Sequence, residues 1–281
     1  MDKIYTVDYI ISKDKTKISY RVLGNSNIGI ILVHGGIMSS ENFMELGKIL
    51  SNKYTVYIVE RRGRKLSQEY DNQNLELEVE DIQAIINKTN AEYIFGLSSG
   101  AIISLQTAIT EKLKKIAIYV PAISDNWSIN EKWYVNYENA IKQNNYGKAF
   151  LYVMNGLGEK SFITILPKII TIPLLNFMIN KQETKEDETS LKDLIRLFVN
   201  DFRIVIDSKG MMKKCKSLNN RDVLLMTGEK TQKIIKEPMK KLKETLPNAE
   251  YIELKGCRHN SADNTENPFI IAKILENFFS R

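Results

Sequence analysis

The chain has 281 residues, 43% of them hydrophobic and 26% charged, with a formal net charge of +6. That length and apolar content suit one large globular domain, or a domain carrying an insertion, and exclude a disordered or fibrous chain. The excess charge is spread over lysines interspersed with acids, without a zinc-finger, RNA-motif or arginine-rich signature, so nucleic acid is not an expected partner. The two cysteines, Cys215 and Cys257, form neither a disulfide framework nor a metal-ligand spacing, which points to a reducing, cytoplasmic compartment. The opening Met1-Asp2-Lys3-Ile4-Tyr5 has neither the basic start nor the long apolar core of a signal peptide.

Strand-like runs are predicted at residues 4–10, 18–23, 29–33, 54–59, 92–95, 116–120, 223–227 and 251–254. The first two flank a polar stretch and read as an antiparallel hairpin. Most of the later ones are short, continuous and rich in Ile, Val and Tyr, as in strands covered on both faces. Helical stripes alternate with them. Phe43, Leu46 and Leu50 follow the capping candidates Ser39 and Ser40; Leu75, Val79, Ile82 and Ile86 form a second stripe. Met239, Leu242 and Leu246 form a third, stopped by Pro247, and Ile271, Leu275 and Phe278 lie on a C-terminal helix. Such alternation predicts a mostly parallel sheet with helices on both faces.

The alternation fails from about Pro121 to Cys215, where aromatic residues, an apolar run at 162–179 and a charged stretch at 181–188 follow one another. This region reads as an all-helical insertion after the sixth strand. The apolar run contains Pro167, Lys168, Pro173 and Asn176, which make a poor membrane span; it is expected instead as a pair of short helices lying over a pocket, and no membrane contact is expected. The domain reading is therefore a core at 1–120 and 216–281 with a helical cap at 121–215.

Between the fifth strand and the following helix stands Gly96-Leu97-Ser98-Ser99-Gly100. A Gly-x-Ser-x-Gly run in that context is a nucleophile elbow, a turn too tight for a Cβ two positions either side of the serine. The chain has only two histidines: His34 in Val33-His34-Gly35-Gly36, and His259 after the last predicted strand. Glu60-Arg61-Arg62-Gly63-Arg64-Lys65-Leu66-Ser67 follows the fourth strand, and Gly256-Cys257-Arg258-His259-Asn260 the eighth.

These four blocks, in this order between these elements, make the chain resemble the α/β-hydrolase superfamily. The resemblance implies an α/β-hydrolase fold, an eight-stranded mostly parallel sheet with an all-helical cap after strand six. It also implies Ser98 as nucleophile, His259 as general base and the backbone N–H groups of Ser99 and Gly36 as oxyanion hole, with Ile37 the alternative to Gly36. His34 and the block around Arg62 take structural roles. Family members place an acid after the seventh strand in a Gly-x-x-Asp pattern, but here the aspartate position of Gly228-Glu229-Lys230-Thr231 holds Thr231. Glu229 is the leading candidate for the third triad member, with Asp125 or no acid at all as the alternatives.

The resulting expectation is a cytoplasmic serine hydrolase of the carboxylesterase type, a monomer or homodimer, acting on an ester or thioester of a small apolar molecule. The apolar residues of the cap are expected to enclose that substrate, and no cofactor is implied. The alternatives are a non-catalytic binder of a small apolar ligand and a lyase or cofactor-free peroxidase on the same residues.

Overall fold

The computed structural model describes residues 4–69, 73–124, 131–158 and 162–281. Eight strands form one sheet: β1 (Thr6–Ile11), β2 (Lys17–Leu23), β3 (Gly29–Val33), β4 (Thr55–Val59), β5 (Tyr93–Leu97), β6 (Lys115–Tyr119), β7 (Asp222–Gly228) and β8 (Glu250–Leu254). Their order across the sheet is β1-β2-β4-β3-β5-β6-β7-β8. β1 and β2 form the antiparallel hairpin that the sequence predicts, β2 pairs antiparallel with β4, and every later pairing is parallel. β3, β5 and β6 are buried at every position. Continuous apolar runs are what a strand requires when helices cover both its faces.

The core helices are α1 (Met44–Leu50), α2 (Leu75–Thr89) and α3 (Ser99–Thr110). Between β6 and β7 come α4 (Glu131–Lys142), α5 (Tyr146–Gly156), α6 (Phe162–Ile165), α7 (Lys168–Lys181), α8 (Leu191–Asp207) and α9 (Met211–Cys215). The chain ends with α10 (Lys233–Thr245), before β8, and α11 (Pro268–Phe279), after it. α2 begins at Asn74, whose side chain accepts the Leu77 N–H at 3.0 Å, and α8 at Ser190, whose side chain accepts the Asp193 N–H at 3.1 Å. Each such cap satisfies an N–H that the first helical turn leaves without a partner.

Two apolar clusters result. The larger fills both sides of the sheet; the smaller gathers Tyr137, Leu151, Val153, Leu175, Ile195, Phe198 and Phe202 from α4, α5, α7 and α8. The long helix α8 joins them, since its Phe202 packs in the smaller cluster and its Ile204 and Val205 in the larger.

The 162–179 run forms two helices, as expected; among its described side chains none lines the large cavity beside the sheet, while Thr164, Leu166, Pro167 and Lys168 line a smaller one. Thr171, Leu175 and Ile179 turn inward, Asn176 caps the Gly147 N–H of α5 at 2.7 Å, and Ile165, Ile169 and Phe177 are 78%, 83% and 62% exposed. The reason is the distribution of apolar residues around α7: they occupy all its sides, so one face packs on α5 while the rest points outward. Among the described residues no helix is long and apolar enough to cross a membrane.

Candidate active site

β5 runs directly into α3 through Ser98, whose backbone angles are φ 56° and ψ −118°. A non-glycine residue with positive φ is uncommon and persists where its surroundings over-determine it. Here the Ser98 N–H is tied to the Tyr119 carbonyl of β6 at 3.0 Å, and its own carbonyl accepts the Ala101 and Ile102 N–H groups. The glycines are required by close approach. A Cβ on Gly96 would stand 2.4 Å from Ser104 Oγ and 2.5 Å from the Gly100 carbonyl, and one on Gly100 would stand 2.3 Å from the carbonyl oxygens of both Val33 and His34. Backbone cannot retreat as a flexible side chain can, so Gly100→Ala is expected to destabilise the fold by about 3 kcal/mol. A urea titration reading the midpoint tests this, and an unchanged midpoint would contradict it.

The Ser98 side chain is half-buried on a cavity of about 1390 Å³ that it shares with His259. His259 lies on the loop after β8, and several bonds fix that loop over the elbow. Cys257 O accepts the Lys230 N–H at 2.9 Å, Arg258 O accepts the Tyr119 hydroxyl at 2.6 Å, and Ser261 Oγ accepts the Arg258 N–H at 2.8 Å. Further on, Asp263 accepts from Asn42 Nδ2 at 2.6 Å, joining this loop to the one after β3. The ring keeps part of its surface in the cavity, while its Nδ1 is enclosed without a hydrogen-bond partner among the described residues. Burial pushes its pKa down to about 4, so the ring is neutral at physiological pH.

His34 is different. It is wholly buried, its Nδ1 donates to the Gly35 carbonyl at 2.9 Å, and burial together with the Arg64 and Arg61 charges holds its pKa well below the usual histidine value. It shapes the loop after β3.

That loop passes against the elbow, since a Cβ on Gly35 would come within 3.2 Å of the Ser98 Cβ. The Gly36 and Ser99 N–H groups have no acceptor among the described residues. The Ile37 N–H, by contrast, is donated to Asp201 Oδ2 at 3.1 Å. Of the two alternatives in this loop, Gly36 is the one left free to face a ligand.

The acid is where expectation and geometry part. The Glu229 side chain is on the exposed rim, its Oε2 accepts the Gly256 N–H at 2.8 Å, and it makes no hydrogen bond to His259. It stands two positions before the family's aspartate, at the tip of β7, and there it closes the turn after β8. Asp125 lies outside the described residues. Thr231, at the family's aspartate position, is buried with Oγ1 unpartnered and lines the same cavity as His259.

Sequence reasoning gave the block at 60–67 a structural role but missed its acidic partners, which make a charged layer beneath the loop after β3. Arg61, Arg62 and Arg64 are at most 1% exposed. Arg61 forks onto Glu78 of α2 at 2.8 and 3.0 Å, Arg62 onto Asp81 at 2.6 Å twice, and Arg64 Nη2 onto both carboxylate oxygens of Asp201 at 2.7 and 2.9 Å. Burying such ions is tolerable only when each is paired and its hydrogen bonds are satisfied. A signal was present: Glu78 and Asp81 sit on the apolar stripe of α2, and Asp201 on that of α8, between Leu197, Phe198 and Phe202. Acids on a buried stripe imply basic partners elsewhere.

A model of the α/β-hydrolase fold family matches residues 30–264. The chain belongs to the α/β-hydrolase fold family. The uncharacterized hydrolase YraK of Bacillus subtilis (strain 168) is 34% identical over 109 residues, which span 37% of this chain and 40% of that protein's length. An α/β hydrolase of Sphaerobacter thermophilus superposes with a TM-score of 0.77 at 23% identity, covering 97% of this α/β hydrolase and all of the other. A structure from a study of carboxylesterases of Nitrososphaera gargenis gives 0.72 at 17% identity, covering 97% and 98% of the two chains. Identities this low speak for the shared fold, which the strand order also displays.

Proposed function

We propose that the protein is a serine hydrolase of the carboxylesterase type, cleaving an ester or thioester of a small apolar molecule through an acyl-enzyme on Ser98. The observation that carries this reading is the strained backbone of Ser98 at the β5–α3 junction, presenting its side chain to a cavity that also holds His259. His259 Nε2 takes the hydroxyl proton as Ser98 Oγ attacks the carbonyl carbon. The oxyanion of the tetrahedral intermediate is met by the Gly36 and Ser99 N–H groups, the latter at the N-terminus of α3. The imidazolium returns the proton to the departing alcohol or thiol. Water, deprotonated by the same nitrogen, then releases the acid.

The apolar part of the cavity lining supports the apolar part of the reading. It is built by Phe150, Val153, Met154 and Leu157 of the α5 region and by Phe198 and Phe202 of α8. An acyl or alcohol group placed there loses contact with water, worth about 25 cal/mol per Å² of apolar surface.

One observation favours a second reading. Among the described residues the Nδ1 of His259 has no hydrogen-bond partner, and a serine presented without an effective relay suits a binder of small apolar ligands. A fluorophosphonate probe separates the two. Labelling of the wild type at Ser98, absent in Ser98→Ala, is the expected result; a folded wild type that stays unlabelled would leave the binder.

A further inference from the structure

We propose that Arg61 is a positioning residue that sets both donors of the oxyanion hole, and that Asp201 of the cap helix α8 holds it in place. The inference rests on the Ser98 reading above. One guanidinium nitrogen, Arg61 Nη1, lies 3.2 Å from the Gly35 carbonyl oxygen, 3.4 Å from that of His34, 3.2 Å from Ser99 Oγ and 2.9 Å from Asp201 Oδ1. The Gly35 carbonyl and the Gly36 N–H belong to one planar trans peptide, so fixing the oxygen aims the N–H in the opposite direction. The Ser99 hydroxyl belongs to the residue whose N–H is the second donor. A single buried cation therefore touches both arms of the hole without entering the cavity.

Two carboxylates keep that cation where it is. Glu78, from α2, grips the Nε and Nη2 edge, and Asp201 approaches the Nη1 side from the cap. Asp201 also binds Arg64 and accepts the Ile37 N–H, and a Cβ on Gly36 would meet its carboxylate at 3.3 Å. The peptides on either side of Gly36 are thus fixed, one through its carbonyl by Arg61 and His34, the next through its N–H by Asp201. Oxyanion donors act through preorganisation, because an N–H that must reorient during reaction stabilises the developing charge less. The arrangement makes the geometry of the hole depend on the cap being seated, since α8 supplies Asp201, which together with Glu78 balances the charges of Arg61 and Arg64.

The test uses Arg61→Lys, which keeps the charge but loses the fork, and Asp201→Asn, which is isosteric and loses the charge. Both should lower kcat for p-nitrophenyl acetate by about 10²-fold, comparable with loss of one oxyanion donor, with KM within twofold, when read well below the thermal midpoint that the weakened buried ion pairs also lower. Independently of turnover, the Gly36 and Ser99 amide resonances of the labelled protein should shift in both variants, while amides of β7 stay in place. Unchanged amides, or kcat falling only in step with the thermal midpoint, would overturn the positioning role. A wild type that neither hydrolyses esters nor reacts with fluorophosphonate would sink the Ser98 reading instead, and the amide resonances would still decide whether Arg61 and Asp201 hold the loop.

Discussion

Alanine in place of His259 is expected to lower kcat for an activated ester by about 10²-fold, with the fold retained. A serine hydroxyl is a poor nucleophile until a base accepts its proton, and no other titratable ring faces this cavity among the described residues, His34 being turned into the core. The pH profile gives a second readout. The base must be neutral, and burial has lowered the His259 pKa to about 4, so kcat/KM should rise with pH through about 4 and be flat from there to neutrality. Stability moves in the same direction. The unfolded chain binds a proton on this histidine near its ordinary value of 6.5, the native chain only near 4, so the neutral buried ring is progressively penalised as pH falls through that window. The alanine variant should lose this part of the pH dependence. A variant that keeps turnover within tenfold of wild type would remove His259 from the mechanism.

Thr231→Asp is expected to raise turnover by about 10²-fold. Losing the triad aspartate of a serine protease costs about 10⁴-fold, through the wrong histidine tautomer and an unsupported imidazolium. Among the described residues His259 Nδ1 is enclosed and unpartnered, and Thr231 Oγ1 is likewise buried without a partner on the same cavity. The two loops are joined by the bond from the Lys230 N–H to the Cys257 carbonyl. A carboxylate at 231 would hold Nδ1–H and point Nε2 at the serine. It would also favour the charged ring, so the acid limb of the pH–rate profile should move upward from about 4. The full 10⁴ is not expected, because an introduced carboxylate at a buried site must be desolvated. Glu229→Gln should change kcat by less than about threefold, since its carboxylate closes the turn at Gly256 rather than meeting the imidazole. Steady-state kinetics of the two variants against pH test both statements. A Thr231→Asp protein that folds but shows neither faster turnover nor a displaced acid limb would place the relay elsewhere.

Most of the scaffold was legible because its signals are local. Each of the eight strands stands within a few residues of its apolar run, and α2, α10 and α11 follow their stripes. Ser98 was legible for a steric reason: glycine at 96 and 100 is demanded by contacts below 2.6 Å that any elbow of this shape would make. The cap was legible as a break in alternation but not as a surface. α7 is apolar on all sides, so nothing in its pattern says which side meets α5 and which is left outward.

What the sequence by itself determined, then, was the succession of strands and helices, the serine on its turn and the histidine that returns to it. These depend on backbone sterics and on periodicity within a single element. Only the tertiary structure decided that Asp201 reaches Arg64 across 137 positions of chain, that Arg61 touches both the Gly35 carbonyl after β3 and Ser99 at the start of α3, and that Glu229 turns away from His259. A buried charge has no preferred partner until packing removes the water around it. Which carboxylate it then meets is set by how helices dock, not by what stands next to it along the chain.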